Sequence, residues 1–134
     1  MAGYSANPLV AKLGIKEQML VHVCGAPKDY LDLVAPLPGG AMISTRLSSN
    51  VDLVHLFTTE KAELSKKLEA YRDKLKPATA IWVSWPKKTS KVKTDITEDT
   101  IREVALPLGF VDIKVCAVTE VWSGLKLVVR KELR

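Results

Sequence analysis

An apolar run dense in β-branched and aromatic residues, Ala78-Thr79-Ala80-Ile81-Trp82-Val83, halts at Ser84-Trp85-Pro86 and passes into a lysine-rich loop. A short continuous apolar segment reads as a strand buried on both faces. That restricts the chain to sheets covered by helices on either side. Lys87, Lys88, Lys91 and Lys93 follow, with no acid before Asp95. In an open α/β sheet, ligands sit outside the carboxyl ends of the strands. Four lysines at that place point to a small anionic partner.

Charge narrows the reading further. The formal net charge is +5, and Lys87, Lys88, Lys91 and Lys93 carry +4 of it. The basicity is local, which argues against coating of nucleic acid along its length and for a confined anion site. No helix carries a basic face suited to a DNA groove, so no DNA partner is expected; a weak, salt-sensitive attraction to RNA stays open. The two cysteines, Cys24 and Cys116, sit in separate apolar runs and form no disulfide framework, which fits a reduced, cytoplasmic setting. No segment approaches the ~20 apolar residues of a membrane span. The first residues lack the apolar core of a signal peptide. With 134 residues, the chain is expected to form a single domain over 1–134.

Strand-like and helix-like segments alternate along the chain. Asn7 as cap, Pro8 at the first helical position and Gly14 as stop predict a short first helix. Residues 18–24 predict a strand, 27–34 a short helix ended by Pro36, 41–45 and 52–58 two further strands. Thr59 is expected to cap a helix whose Leu64, Leu68, Tyr71 and Leu75 recur at helical spacing. Lys66, Lys67, Glu69, Asp73 and Lys74 form its solvated side. Residues 78–85 give the fourth strand, and Thr97 caps a helix with Glu98 and Asp99 in its first turn. Segments 111–121 and 125–131, joined through Trp122-Ser123-Gly124, predict an antiparallel hairpin.

This order predicts a three-layer α/β domain, Rossmann-like, with a mostly parallel sheet and a C-terminal antiparallel hairpin. One link fits poorly, because residues 47–51 are too few for a helical crossover. An extended return along the sheet edge is favoured over a hairpin between strands two and three. The order resembles the methyltransferase-type Rossmann-like fold, in which a helix also leads through a Lys-Pro turn, here Lys76-Pro77, into a buried strand. That resemblance implies a cofactor loop rich in glycine after strand one and an acid at the end of strand two. Here the loop reads Cys24-Gly25-Ala26-Pro27-Lys28 and strand two ends Ser44-Thr45-Arg46. Proline has no N–H to donate, and no carboxylate stands where ribose hydroxyls would be held. No cofactor is therefore expected, and a non-catalytic relative is favoured over an enzyme.

A second resemblance covers the whole chain. Gly3-Tyr4-Ser5, Lys12-Leu13-Gly14-Ile15-Lys16, Trp82-Val83-Ser84-Trp85-Pro86-Lys87-Lys88 and the blocks from Asp112 to Lys126 resemble a family of small, mainly bacterial proteins of unknown function. The resemblance implies a compact Rossmann-like domain and supplies no catalytic residues.

The candidate binding residues are Ser84, Trp85, Lys87, Lys88, Lys91 and Lys93, with Thr97 at a helix start that favours anions. Gly25 joins them from the first strand's end. Trp122, Ser123 and Gly124 could stack on a ligand or serve only to staple the hairpin, and the staple is favoured. A metal reading of His22, Cys24 and His55 requires all three on one sheet face; packing is the favoured role for each. Asp52, Asp95 and Glu120 are isolated, so paired-carboxylate catalysis finds no support. Two other readings remain: a transferase with a non-standard loop, and a regulatory protein forming a homodimer through a sheet edge or the terminal hairpin.

Overall fold

The computed structural model describes residues 8–134; Asn7 and the Gly3-Tyr4-Ser5 block lie outside the described residues. Six strands form one sheet in the order β2-β1-β3-β4-β6-β5. They are β1 (Leu20–Cys24), β2 (Met42–Ser44), β3 (Leu53–Phe57), β4 (Ala80–Pro86), β5 (Phe110–Ala117) and β6 (Trp122–Val129). The first four run parallel, whereas β6 is antiparallel to both β4 and β5. Helices α1 (Leu9–Leu13) and α2 (Tyr30–Leu33) cover one face, and α3 (Lys61–Lys74) and α4 (Glu98–Ala105) the other. The three-layer Rossmann-like architecture with its antiparallel end is as the sequence predicts.

The alternation of strand side chains builds two cores. Ile81, Val83 and Trp85 of β4 join Leu64, Leu68 and Tyr71 of α3 and Ile101 and Ala105 of α4. Trp82 points the other way, into a core with Val10 and Leu13 of α1 and Tyr30 of α2. Its indole Nε1 donates to Leu13 O at 2.9 Å, which ties α1 across the sheet. Asp52 fastens the amino ends of β1 and β3: its carboxylate accepts from Leu20 N at 2.9 Å and from Lys76 Nζ at 3.1 Å. The Leu20 N–H holds that carboxyl below its ordinary range.

Several local expectations shift. Pro8 is the residue before α1, with extended ψ of 156°, instead of its first helical residue; Gly14 closes the helix at φ 81°. Thr59 does not cap α3. Its carbonyl accepts from Thr94 Oγ1 and Asp95 N, while Thr58 Oγ1 accepts from Glu60 N at the helix start. The return from β2 to β3 is non-helical, as expected, but it bends at 45–46 and turns at 48–51, where Val51 N donates to Ser48 O, and the two strands lie on opposite sides of β1. Eight residues, 45–52, suffice because β2 is only three residues long, so little height must be regained. Trp122-Ser123-Gly124 is not the hairpin turn. The turn is 118–121, held by Thr119 Oγ1 accepting from the backbone N–H groups of Val121 and Trp122. Trp122, Ser123 and Gly124 continue β6, pairing with Pro86, Trp85 and Ser84.

Candidate functional site

Beyond Pro86 the chain leaves the sheet through a 3-10 turn at Lys88–Ser90 and reaches α4. Ser90 Oγ donates to Lys87 O at 2.6 Å and accepts from Val92 N, which folds the lysine loop back on itself. Thr94 Oγ1 anchors the far end on Thr59 O at 2.7 Å, beside the end of β3. The result is a cleft of about 650 Å3 whose lining includes Trp85, Lys87, Lys88, Lys91, Lys93 and Thr97. Among the described residues, none of the four lysines has an ion-pair partner.

Acids do reach the rim, but their charge is already engaged. Glu98 and Asp99 line the cleft, and both bind the Arg102 guanidinium, Asp99 at 2.9 Å. Arg102 Nε further holds Asp112 at 3.1 Å. The lysines therefore dominate the local field. Thr97 is at the cleft through a capping box: its hydroxyl accepts from Thr100 N, and Thr100 Oγ1 accepts from Thr97 N. Its side chain fixes the start of α4, and the helix end it sets faces the lysines.

The remaining candidates lie elsewhere. Ser84 and Trp85 are sequential strand residues and so project to opposite faces. The Ser84 hydroxyl is wholly buried, 2.7 Å from His55 Nε2, away from the lysine loop. Gly25 lies at the end of β1, where a Cβ would meet Phe57 O at 2.4 Å. Its missing side chain lets two strand ends approach and leaves no room for a ligand on that side. Trp122 packs edge-on against Phe57, with centroids 5.1 Å apart, and Gly124 gives space to the Trp82 ring. Both make packing contacts from within β6 and not at the turn, where the staple reading placed them. Ser123 pairs with Trp85 in the ladder.

The metal reading fails on register. β1 and β3 are neighbours, but His55 pairs with Val23 and His22 with Val54. His22 and Cys24 therefore face α3, whereas His55 faces α2. Among the described residues, no group of three His, Cys, Asp or Glu side chains is arranged to hold a metal ion.

Sequence reasoning missed a buried chain of hydrogen bonds, Tyr30 OH to His55 Nδ1 at 2.8 Å and His55 Nε2 to Ser84 Oγ at 2.7 Å. It joins α2, β3 and β4, residues 25 and 29 positions apart, so no local pattern announces it. Burial keeps the imidazole neutral, with its pKa at about 3. Either neutral tautomer satisfies both partners, and complete burial keeps the chain from substrate.

Solved structures of similar shape place this geometry. The chain resembles the tRNA methyltransferase TrmK of B. subtilis with a TM-score of 0.63 at 16% identity, covering 95% of this chain and 67% of that one. A SAM-dependent methyltransferase of Aquifex aeolicus gives 0.64 at 16% identity, over 91% and 88% of the two chains. A third structure, from Sulfolobus solfataricus, gives 0.64 at 10% identity, over 94% and 90%. At such identities the likeness is one of fold. No curated protein matches the sequence. Among the described residues, no helix is long and apolar enough to cross a membrane. Residues 10–131 match the family described as protein of unknown function (DUF3052), and the chain belongs to that family.

Proposed function

We propose that the domain is a non-catalytic binding module that takes a small anionic ligand in the cleft beyond β4. One observation carries this reading: Lys87, Lys88, Lys91 and Lys93, with no ion-pair partner among the described residues, line a cleft of about 650 Å3 together with Trp85. Clefts of several hundred Å3 with a few converging polar groups are the usual form of ligand sites. Uncompensated ammonium groups favour phosphate or carboxylate there.

A transferase reading draws on the shape shared with methyltransferases. Against it stand Gly25, whose open side is filled by Phe57, and the Ser44 Oγ bond to Arg46 N where the sequence places no carboxylate. A homodimer reading draws on Ile113 and Val115, exposed on the edge strand β5.

Thermal denaturation against phosphate, nucleotides, dinucleotides, adenosylmethionine and short RNA tests the proposal, run beside a Lys87→Ala/Lys88→Ala variant. A ligand at a hundred times its dissociation constant stabilises by about 2.7 kcal/mol. The expected result is an anion that shifts the wild type and spares the variant. No shift with any ligand, or equal shifts in both proteins, overturns the proposal. A shift with adenosylmethionine alone favours the transferase reading.

A further inference from the structure

A second group of lysines stands on the face of β5 and β6 that α1 borders. Lys114 and Lys126 are direct partners in the β5–β6 ladder. Like charges opposite one another across strands destabilise a sheet. The Lys126 ammonium is folded inward, 6.0 Å from the Trp82 ring centroid and 3.7 Å from the position a Cβ on Gly14 would take. Lys12 and Lys16 flank that glycine two residues to either side. The Trp82 bond to Leu13 O holds this end of α1 in place over the strands.

Among the described residues, Lys12, Lys16, Lys114 and Lys126 form no ion pair, and the Lys126 ammonium donates no hydrogen bond. Asp112, on the same strand as Lys114, is held by Arg102 on the opposite face of the sheet. Burial, then Lys114 and Lys16, lowers the Lys126 pKa, in keeping with an ammonium short of acceptors. Burial pushes the nearby Cys116 thiol up, and Lys12 and Lys114 pull it the other way.

We infer that Lys12, Lys16, Lys114 and Lys126 form a second anion site, which takes a phosphate group over Trp82 and Gly14. A bound oxyanion would accept from several ammonium groups at once and remove the cross-strand repulsion. The indole face adds its own attraction for the Lys126 ammonium that carries the anion. The inference stands apart from the cleft beyond β4, whose lysines are a separate set.

Thermal denaturation in inorganic tripolyphosphate, against sodium chloride at matched ionic strength, tests it. Chloride screens the repulsion but does not bridge the ammonium groups. The expected result is a melting temperature raised by tripolyphosphate beyond the chloride control. Lys114→Gln, on an exposed residue, should lose most of that extra rise, and Lys87→Ala/Lys88→Ala should keep part of it. Lys114→Gln should also melt higher than wild type without added anion, because the repulsion is gone. No rise above chloride in the wild type overturns the inference, as does a rise that Lys114→Gln retains in full. A loss confined to Lys87→Ala/Lys88→Ala overturns it while supporting the cleft.

Discussion

His55 Nε2 lies 2.7 Å from Ser84 Oγ in the middle of the sheet, and both side chains are wholly buried. Tyr30 closes the other side of the ring at 2.8 Å, and Phe57 stacks on it with centroids 4.2 Å apart. The imidazole is thus sealed between two hydroxyls and an aromatic face, and no carboxylate among the described residues hydrogen-bonds to it.

That seal makes stability depend on pH. Burial holds His55 at about 3, against an ordinary 6.5, so the unfolded chain binds a proton that the folded one refuses. Stability is complete above about pH 6.5 and falls below it by roughly 1.4 kcal/mol per pH unit. A loss of about 2 kcal/mol by about pH 5 follows. His22, also lowered by burial, acts in the same direction. Urea midpoints at neutral and mildly acid pH measure the slope. His55→Gln should flatten it, and an unchanged slope would place its source elsewhere.

Gly25 sits at φ 71° against the Phe57 carbonyl. Gly25→Ala adds left-handed strain to a backbone clash and should cost roughly 2 kcal/mol or more. Chemical denaturation reads this directly. A neutral outcome would contradict the close approach of β1 and β3.

Two buried tyrosines should respond in opposite ways to loss of their hydroxyls. Tyr71 OH has no hydrogen-bond partner among the described residues, and its ring meets His22 edge-on at 6.1 Å. Tyr71→Phe removes an unsatisfied buried group and should be neutral or stabilising. Tyr30→Phe strips His55 Nδ1 of its partner and should cost about 1–3 kcal/mol. Equal losses in the two variants would mean that Tyr71 is satisfied after all.

Trp82→Phe should destabilise by about 2–4 kcal/mol, through the lost bond to Leu13 O and the volume left behind. Amide exchange offers a sharper check. Protection should fall around Leu13 and Ile15 more than in α3, since the Trp82 indole holds α1 and not α3.

Much of the fold was legible because its signals are local. Leu64, Leu68, Tyr71 and Leu75 declare a helix face by spacing alone, and all four are buried. The run through Ile81, Trp82 and Val83 declares a central strand, and it is one, paired on both sides. The lysine loop could be placed because it follows that strand directly. Turn chemistry misled at Trp122-Ser123-Gly124, where a glycine suggests a turn. Gly124 instead makes room for the Trp82 ring, a demand set by a residue 42 positions away.

The sequence by itself determined the order of helices and strands, the layered class and the basic loop at the end of β4. Periodicity and chain breakers act between near neighbours, so they can be read along the chain. Only the tertiary structure decided which polar strand residues meet. It turned Ser84 inward to His55, set His22 and His55 on opposite faces, and put Lys114 opposite Lys126. Strand side chains alternate with period two, and a bulge between Asp112 and Lys114 further shifts the last ladder. A slip of one residue turns every side chain to the other face, so register, which pairs distant segments, settles these meetings.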